Sequence, residues 1–238
     1  VGAFLFSRGF IKTGLGKRIA YNLIAAFGSS SLRLAYALAL SDLILAPATP
    51  SNTARVGGVI MPITTSLAKA FGSEPQDGPR KIGSFLMQSI YQVNTITSAM
   101  FQTSMAGNTL VAALALQSFG IGITWGDWAM AAIVPGIIAL IIMPYFIYKV
   151  YPPEIKDARE AQQMIKEELK GLGKMSFQEW VMLGVFILAL VLWATSQFTK
   201  IDATTVAFLG ISILLATSVL VWDDVKSEKG AWDTLVWM

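Results

Sequence analysis

The sequence predicts an all-α membrane protein, and three observations lead to this fold class. The chain is 54% hydrophobic but only 14% charged, whereas soluble domains carry roughly 25% charged residues. Its apolar stretches are long, and residues 82–126 contain no charged side chain. Polar, glycine-containing segments interrupt two of these stretches, at residues 46–58 and 103–109. Irregular backbone at membrane depth persists only where it is buried in protein or lines a cavity, so both interruptions are candidate binding elements.

Composition also excludes several classes of function. The 238 residues include no cysteine and no histidine, which excludes disulfides, thiol chemistry, Cys or His metal sites and a histidine base. No close pair of intramembrane carboxylates is present either, so an enzyme is not expected. The net charge of +3 fits loop lysines on the cytoplasmic side of a membrane protein. It does not indicate nucleic-acid binding, because no basic patch is interleaved with aromatic residues.

Residues 1–30 are predicted to form an interfacial amphipathic helix. Four apolar residues have helical spacing, whereas three glycines weaken the helix and its charges are not confined to one face. The apolar set is Ile11, Leu15, Ile19 and Leu23. An ordinary amphipathic connector between two spans is the alternative.

Residues 31–70 are predicted to form a re-entrant hairpin. The apolar halves, 34–48 and 56–68, are each shorter than the ~20 residues that a span requires. Arg33 precedes the first half and Lys69 follows the second. Both ends are therefore expected on the cytoplasmic side, with the tip of the hairpin near Pro50.

Residues 82–126 are too long for one straight span and are predicted to form a discontinuous transmembrane helix. Residues 127–150 are predicted to form a conventional span, with kinks expected at Pro135, Gly136 and Pro144. Interfacial tyrosines mark the end of this span.

Residues 151–176 are densely charged and are predicted to be a cytoplasmic linker containing one short helix. The apolar side of that helix comprises Ala158, Ala161, Ile165 and Leu169. Residues 177–238 contain two further spans, 180–199 and 203–222, joined by a tight turn. The distribution of basic loops is consistent with four spans and one hairpin.

The segment Ser51, Asn52 and Thr53 is the leading candidate for ligand binding. It offers two hydroxyls and an amide ahead of a resuming helix, whose free N–H groups favour an anion. Backbone carbonyls freed by the neighbouring prolines and glycines could hold a hard cation such as Na⁺. The structural alternative is a simple helix N-cap.

Two charges lie within this apolar region, Asp42 and Arg55, and intramembrane charges are functional candidates by default. Arg55 can contact a substrate carboxylate or pair within the protein, with Asp42 one possible partner. For Asp42 we favour structural pairing, and for Arg55 both roles stay open.

Asn108, with Ser104 and Thr109, would bring a second set of oxygens to the same depth. Interhelical hydrogen bonding is the alternative role for these side chains. Two broken elements at the membrane midplane are typical of a secondary transporter. An ion channel is disfavoured, because no ring of charges or carbonyl filter motif is visible.

The hairpin sequence resembles a known family. The run Ser41-Asp-Leu-Ile-Leu-Ala-Pro-Ala-Thr-Pro-Ser-Asn-Thr-Ala-Arg-Val-Gly-Gly-Val-Ile-Met-Pro-Ile63 is similar to the first Ser-Asn-Thr hairpin of the divalent anion/sodium symporter family. Its Pro-Ser-Asn-Thr-Ala-Arg form resembles the branch of bacterial citrate/succinate and tartrate/succinate antiporters and plastid 2-oxoglutarate/malate translocators. Residues 6–18 also resemble the amphipathic segment of that family.

The resemblance implies a homodimeric, inverted-repeat secondary transporter that carries di- or tricarboxylates by an elevator-like movement. It places Ser51, Asn52 and Thr53 at the family's substrate and sodium positions, and Arg55 is a further candidate for substrate binding because of its intramembrane charge. If transport is coupled to sodium, the cation ligands would come from Ser51, Asn52, Ser104 and Asn108. The Ser-Met-Ala-Gly-Asn sequence at residues 104–108 departs from the family's usual Gly-Thr-x-Pro-Asn pattern.

The family's second Ser-Asn-Thr hairpin is absent from these residues. We therefore expect the chain to cover the first repeat and the start of the second, within a protein of roughly twice this length. Dicarboxylate exchange is the preferred function on the resemblance, and sodium-coupled symport is the alternative. A structural membrane subunit without transport activity is the rival from another class.

No cofactor is expected beyond Na⁺ as a coupling ion. The expected location is the bacterial inner membrane, with the plastid inner envelope as the alternative.

Overall fold

The computed structural model describes residues 2–49 and 51–237, and these residues are helical with no β-strand among them. The α-helices are α1 (Gly2–Thr13), α2 (Leu15–Phe27), α3 (Ser31–Leu45), α4 (Asn52–Arg55), α5 (Met61–Ala70), α6 (Gly83–Met100), α7 (Ala106–Phe119), α8 (Trp125–Val150), α9 (Arg159–Gly171), α10 (Phe177–Ala194), α11 (Ser196–Thr199), α12 (Ala203–Ala216), α13 (Trp222–Ser227) and α14 (Lys229–Trp237). A 3₁₀ turn at Ala46–Ala48 follows α3, and a π-helical turn at Val56–Ile60 joins α4 to α5. The prediction of an all-α protein is confirmed.

Three of the described helical segments are long and apolar enough to cross a membrane: Ser31–Ala48, Trp125–Val150 and Phe177–Ala194. The second and third correspond to the spans predicted at 127–150 and 180–199. The segment predicted as a span at 203–222 contains the shorter apolar helix α12, which ends at Ala216. The chain turns soon after it, where Ser218 adopts a positive φ of 57°.

The amino-terminal region forms two helices instead of the single helix predicted for residues 1–30. Gly14 separates α1 from α2 with a φ of 76°, a left-handed conformation that glycine adopts at little cost. Phe6 and Phe10 of α1 are buried and meet Trp193 and Phe186 of α10 in edge-to-face contacts. Much of the apolar surface of α1 therefore packs against protein.

The segment predicted as a hairpin contains α3, α4 and α5, and the predicted tip near Pro50 lies outside the described residues. Pro47 lies in the 3₁₀ turn that ends α3, where its missing N–H is tolerated. The backbone becomes helical again at Asn52 and continues through the π-helical turn into α5. Gly58 in that turn lies against Ile11. A Cβ atom added at Gly58 would lie only 2.9 Å from Ile11 Cδ1.

The predicted interruption of the long apolar stretch is present. α6 ends at Met100 and α7 begins at Ala106, so the break spans residues 101–105 and not 103–109. α8 packs along α6, where Phe85 contacts Tyr148 at one end and Gly136 lies close to Met100 near the other.

The short helix predicted in residues 151–176 is α9, and its predicted apolar side is largely confirmed. Ala158, Ala161 and Ile165 are buried where α9 packs against α2. Just before α9, backbone hydrogen bonds join residues 154–158 to two other junctions. Ser31 N donates to Lys156 O and Ile155 N donates to Lys81 O. The α2–α3, α5–α6 and α8–α9 connections therefore meet on one face of the protein.

A buried ion pair joins the amino-terminal helices to α10. Arg18 Nε donates to Glu179 Oε1 at 2.5 Å, and the same guanidinium donates to the carbonyl of Gly173 at 2.9 Å. This ion pair connects α2 to the start of α10, two helices that lie far apart in the sequence.

Candidate functional site

The two polar interruptions lie against each other. Thr103 Oγ1 donates a hydrogen bond to Pro47 O, which joins the second break directly to the first. Asn52 Nδ2 lies 3.7 Å from Met105 Sδ. Trp125 Nε1, at the start of α8, donates to Thr103 Oγ1 at 2.9 Å and holds the second break from its other side. The candidate site is therefore built where both broken segments meet.

Arg55 is the centre of this contact, and its side chain is completely buried. Nε donates to Asp42 Oδ1 at 2.8 Å. Nη1 donates to two backbone carbonyls, Thr49 O at 2.8 Å and Ser104 O at 3.2 Å. One guanidinium thus binds α3 and the backbone of both interruptions.

The remaining nitrogen of Arg55 binds a polar face of α6. Nη2 donates to Asn94 Oδ1 at 2.9 Å, Ser98 Oγ at 2.9 Å and Thr97 Oγ1 at 3.2 Å. These three residues follow i, i+3, i+4 spacing, which places them on one side of the helix. The planar, five-donor guanidinium suits such a multidentate arrangement, whereas a lysine ammonium would reach fewer of these acceptors.

The sequence left two roles open for Arg55, substrate contact and pairing within the protein. In the structure it is paired within the protein. Every nitrogen of its guanidinium is directed at protein acceptors, and none of its surface is exposed, so it does not reach a ligand in this arrangement. Asp42 is the partner, as favoured from the sequence: its Oδ1 accepts from Arg55 and its Oδ2 accepts from Thr97 Oγ1. Both charges are paired and hydrogen-bonded, which is what burial demands of them.

Ser51, Asn52 and Thr53 lie at the start of the helix that resumes after the first interruption. Ser51 Oγ accepts from Ala54 N at 3.2 Å, so this residue is a helix N-cap. The amide oxygen of Asn52 is buried and has no hydrogen-bond partner among the described residues. Thr53 is exposed. One member of the motif therefore stabilises the helix, and the other two keep polar groups that are not engaged by the helix itself.

Ser104 and Asn108 close the second interruption. Ser104 Oγ donates to Ser98 O at 2.6 Å, and Asn108 Nδ2 donates to the same carbonyl at 2.7 Å and to Phe101 O at 2.9 Å. These carbonyls belong to the carboxyl end of α6, where helical partners are missing. The amide of Asn108 thus satisfies carbonyl groups that the break would otherwise leave unpaired in a buried position.

Several residues of this site were not candidate ligands in the sequence. The two segments meet at hydrogen bonds made by Thr103 and Trp125. Met105 lies beside this meeting point, next to Asn52. The polar face of α6 had a visible signal, because its polar residues recur at helical spacing within an uncharged stretch. The role of Trp125 had none, since an aromatic residue near the end of a span usually marks the membrane interface.

Comparison with known proteins decides the family. The sequence profile described as the sodium:sulfate symporter transmembrane region matches residues 1–238. The chain belongs to the sodium:sulfate symporter family. Membership of this family makes the chain part of an integral membrane protein. The resemblance seen in the hairpin sequence is confirmed.

Curated relatives in this family come from bacteria and chloroplasts. A Bacillus subtilis protein provisionally named a malate transporter is 55% identical over 236 residues, which are 99% of this chain and 49% of the relative. An inner membrane protein of Escherichia coli is 48% identical, over 99% of this chain and 49% of the relative. The chloroplastic dicarboxylate transporter 1 of Spinacia oleracea is also 48% identical, over 99% of this chain and 42% of the relative. The chain spans slightly less than half the length of these relatives.

Proposed function

We propose that the full-length protein is a secondary carrier that moves C4 to C6 di- or tricarboxylates across a membrane. The observation that carries this proposal is the meeting of the two broken segments at Arg55, because discontinuous helices facing each other form the binding sites of many secondary transporters. The names of the Bacillus and spinach relatives support the substrate class.

Within this carrier, Asn52 and Thr53 bind a substrate carboxylate at the amino-terminal end of the resuming helix. Ser51 supports them by capping that helix. The amide oxygen of Asn52, buried without a partner among the described residues, is available to a ligand proton or a cation. We place Arg55 behind these residues, where it holds both interruptions in position and supplies a positive field to the substrate.

Exchange of one dianion for another is preferred over sodium symport, and the position of Arg55 supports this choice. The guanidinium binds carbonyl oxygens of both interruptions, at Thr49 and Ser104, which are the kind of ligand that Na⁺ would take. A fixed cation at this place offsets substrate charge without an ion from solution. In the symport alternative, Na⁺ would lie near Ser51, Asn52, Ser104 and Asn108, whose remaining oxygens are the available ligands.

The topology proposed for this carrier retains the predicted arrangement. Residues 31–70 form a re-entrant hairpin, α6 and α7 are the two halves of a discontinuous transmembrane helix, and residues 151–176 are a cytoplasmic linker. Residues 177–238 open a second inverted repeat of an elevator-type homodimer. The bacterial inner membrane is the proposed location.

Transport by the full-length protein in liposomes tests the proposal. Vesicles loaded with unlabelled malate or left empty are given external radiolabelled succinate, with and without an inward Na⁺ gradient. We expect uptake that requires internal dicarboxylate and is independent of Na⁺. Uptake into empty vesicles driven by the Na⁺ gradient would establish symport instead. Absence of saturable uptake and of dicarboxylate binding under every condition would favour a structural subunit.

A further inference from the structure

A cavity of about 560 Å³ is lined by apolar residues together with several polar ones, among them Gln102, Ser196 and Lys200. It is bounded by α7, by the extended connection 120–124 and by the junction of α10 with α12. α8 begins here and α10 ends here, so the cavity is at the opposite end of these helices from the charged segment 151–176. Gln102, within the interruption itself, contributes to its wall.

Two residues of the cavity wall have polar groups that the protein does not satisfy. Ser196 is only 7% exposed, and its Oγ is buried without a hydrogen-bond partner among the described residues. A buried hydroxyl left unpaired is costly, and such groups are usually satisfied by a water molecule or a ligand. Lys200 follows four residues later; its side chain is exposed at the cavity wall and has no carboxylate within ion-pair distance in the part of the chain that the structure describes.

The nearby carboxylate of Asp202 is committed to α12. Its Oδ1 accepts from the backbone N–H groups of Thr204 and Thr205 at 2.9 and 3.0 Å, and its Oδ2 accepts from Thr205 Oγ1. The positive amino-terminal end of α12 therefore offsets part of this negative charge. The Lys200 ammonium is left as the cation of the cavity wall that has no such partner.

The backbone at Lys200 has an uncommon conformation. Its φ of 55° is in the left-handed region that residues other than glycine rarely adopt. Its N–H caps α11 by donating to Ser196 O at 2.8 Å. The turn that carries the ammonium is thus fixed to the residue that carries the unpaired hydroxyl.

We propose that this cavity is an oxyanion site in which Lys200 and Ser196, with the amide of Gln102, bind a single carboxylate or phosphate group. Two sources share this chemistry: a dicarboxylate approaching the carrier, for which the inference rests on the proposed function, and the phosphate of an anionic lipid. Gln102 Nε2 donates to Ile123 O at 3.3 Å, so its second N–H is the one offered to the anion. Because Gln102 is in the second interruption, an anion bound here is next to the segment whose Ser104 carbonyl Arg55 binds.

Cysteine labelling tests the site without relying on transport. This chain contains no cysteine, so Ala203→Cys, in full-length protein with any other cysteine replaced, provides one thiol in the cavity wall. Negatively and positively charged methanethiosulfonate reagents are compared, each normalised to its rate with a free thiol. We expect the anionic reagent to react roughly fivefold faster, because a nearby unit charge favours it. Lys200→Gln should abolish this preference, whereas Lys200→Arg and the exposed control Lys174→Gln should retain it.

Protection of the introduced cysteine from labelling by added anions then identifies the occupant of the cavity. Slower labelling in excess succinate supports a dicarboxylate at the site, and slower labelling only in vesicles containing phosphatidylglycerol, compared with pure phosphatidylcholine, supports a lipid phosphate. Equal rates for both reagents, or no protection by either anion, would overturn the proposal. Dicarboxylate exchange is measured separately on the unlabelled protein, so failure of the carrier function and failure of the cavity are distinguishable.

Discussion

Nη1 of Arg55 lies 3.2 Å from the backbone oxygen of Ser104, so a side chain of the first interruption closes on the backbone of the second. The same side chain pairs with Asp42 on α3 and with three polar residues on α6. Two helices that break at different points of the chain are thereby held as one unit. The geometry of the candidate site depends on this single charge.

Removing that charge should destabilise the protein strongly. Arg55→Gln leaves the buried Asp42 carboxylate without its cation, and loss of one partner of a buried pair costs about 3–5 kcal/mol. We expect a large drop in the Tm of the full-length protein in detergent. Arg55→Lys should be intermediate, because an ammonium cannot reach all six acceptors.

The double variant Arg55→Gln/Asp42→Asn provides the control. It removes both charges together, so its loss of Tm should be smaller than the sum of the two single losses. Additive losses would show that the two residues act independently.

The residues of the Ser-Asn-Thr segment should separate into structural and ligand-binding roles. Ser51→Ala removes the N-cap and should lower stability by about 1 kcal/mol. Asn52→Ala should leave the basal Tm almost unchanged, because the only hydrogen bond of its side chain among the described residues is the long one to Met105. It should, however, abolish the Tm increase that succinate produces. Thermal shift assays with and without succinate measure both effects, and a persisting shift in Asn52→Ala would contradict the assigned role.

The contact between α6 and α8 leaves no space at Gly136. A Cβ atom there would lie 2.6 Å from Met100 Cγ, and overpacking of this kind costs about 1–3 kcal/mol. Gly136→Val should lower the Tm, and Met100→Ala should restore part of the loss by making room. A Cβ atom at Gly184 in α10 would have no neighbouring atom within 4 Å, so Gly184→Val is the matched control and should change the Tm little. An equal loss of Tm in both glycine variants would indicate an effect of helix propensity and not of steric overlap.

Acid should weaken the cap of α12. Hydrogen bonds from the Thr205 hydroxyl and backbone N–H, with that of Thr204, hold the pKa of Asp202 below its ordinary value near 3.8. A carboxylate with a lowered pKa stabilises the fold above its ordinary pKa, and this contribution is lost as the pH falls through the folded value. The Tm difference between the natural protein and Asp202→Asn should therefore be present at pH 7 and shrink below about pH 4. A difference that stays constant with pH would exclude an electrostatic contribution.

The sequence predicted the broken elements because their residues leave few alternatives. Prolines and glycines that occur together with polar residues inside an apolar stretch disfavour a continuous helix. Asp42 was one possible partner for Arg55 because these two are the charged residues of the stretch 34–68. The boundaries of the second break were harder to predict from the sequence. Gly107 and Asn108 favour irregular structure locally, yet they belong to α7 because Asn108 caps the carbonyls of α6.

Contacts between distant segments could not be predicted from one sequence. Arg18 and Glu179 are separated by 161 positions, and each has ordinary polar surroundings in the chain. The burial of Phe6 and Phe10 depends on α10 and α12, so an amphipathic pattern alone suggested the membrane surface. Tertiary packing, and not local propensity, decides such cases.

The π-helical turn at Val56–Ile60 makes the length of this segment critical. A π turn contains one residue more than an α turn, and one residue corresponds to a rotation of about 100° around the helix axis. Deleting either glycine of this turn would therefore swing Arg55 away from α6 while leaving α5 in place. A substitution here keeps this register, whereas an insertion or deletion of one residue would separate the two interruptions that the arginine joins.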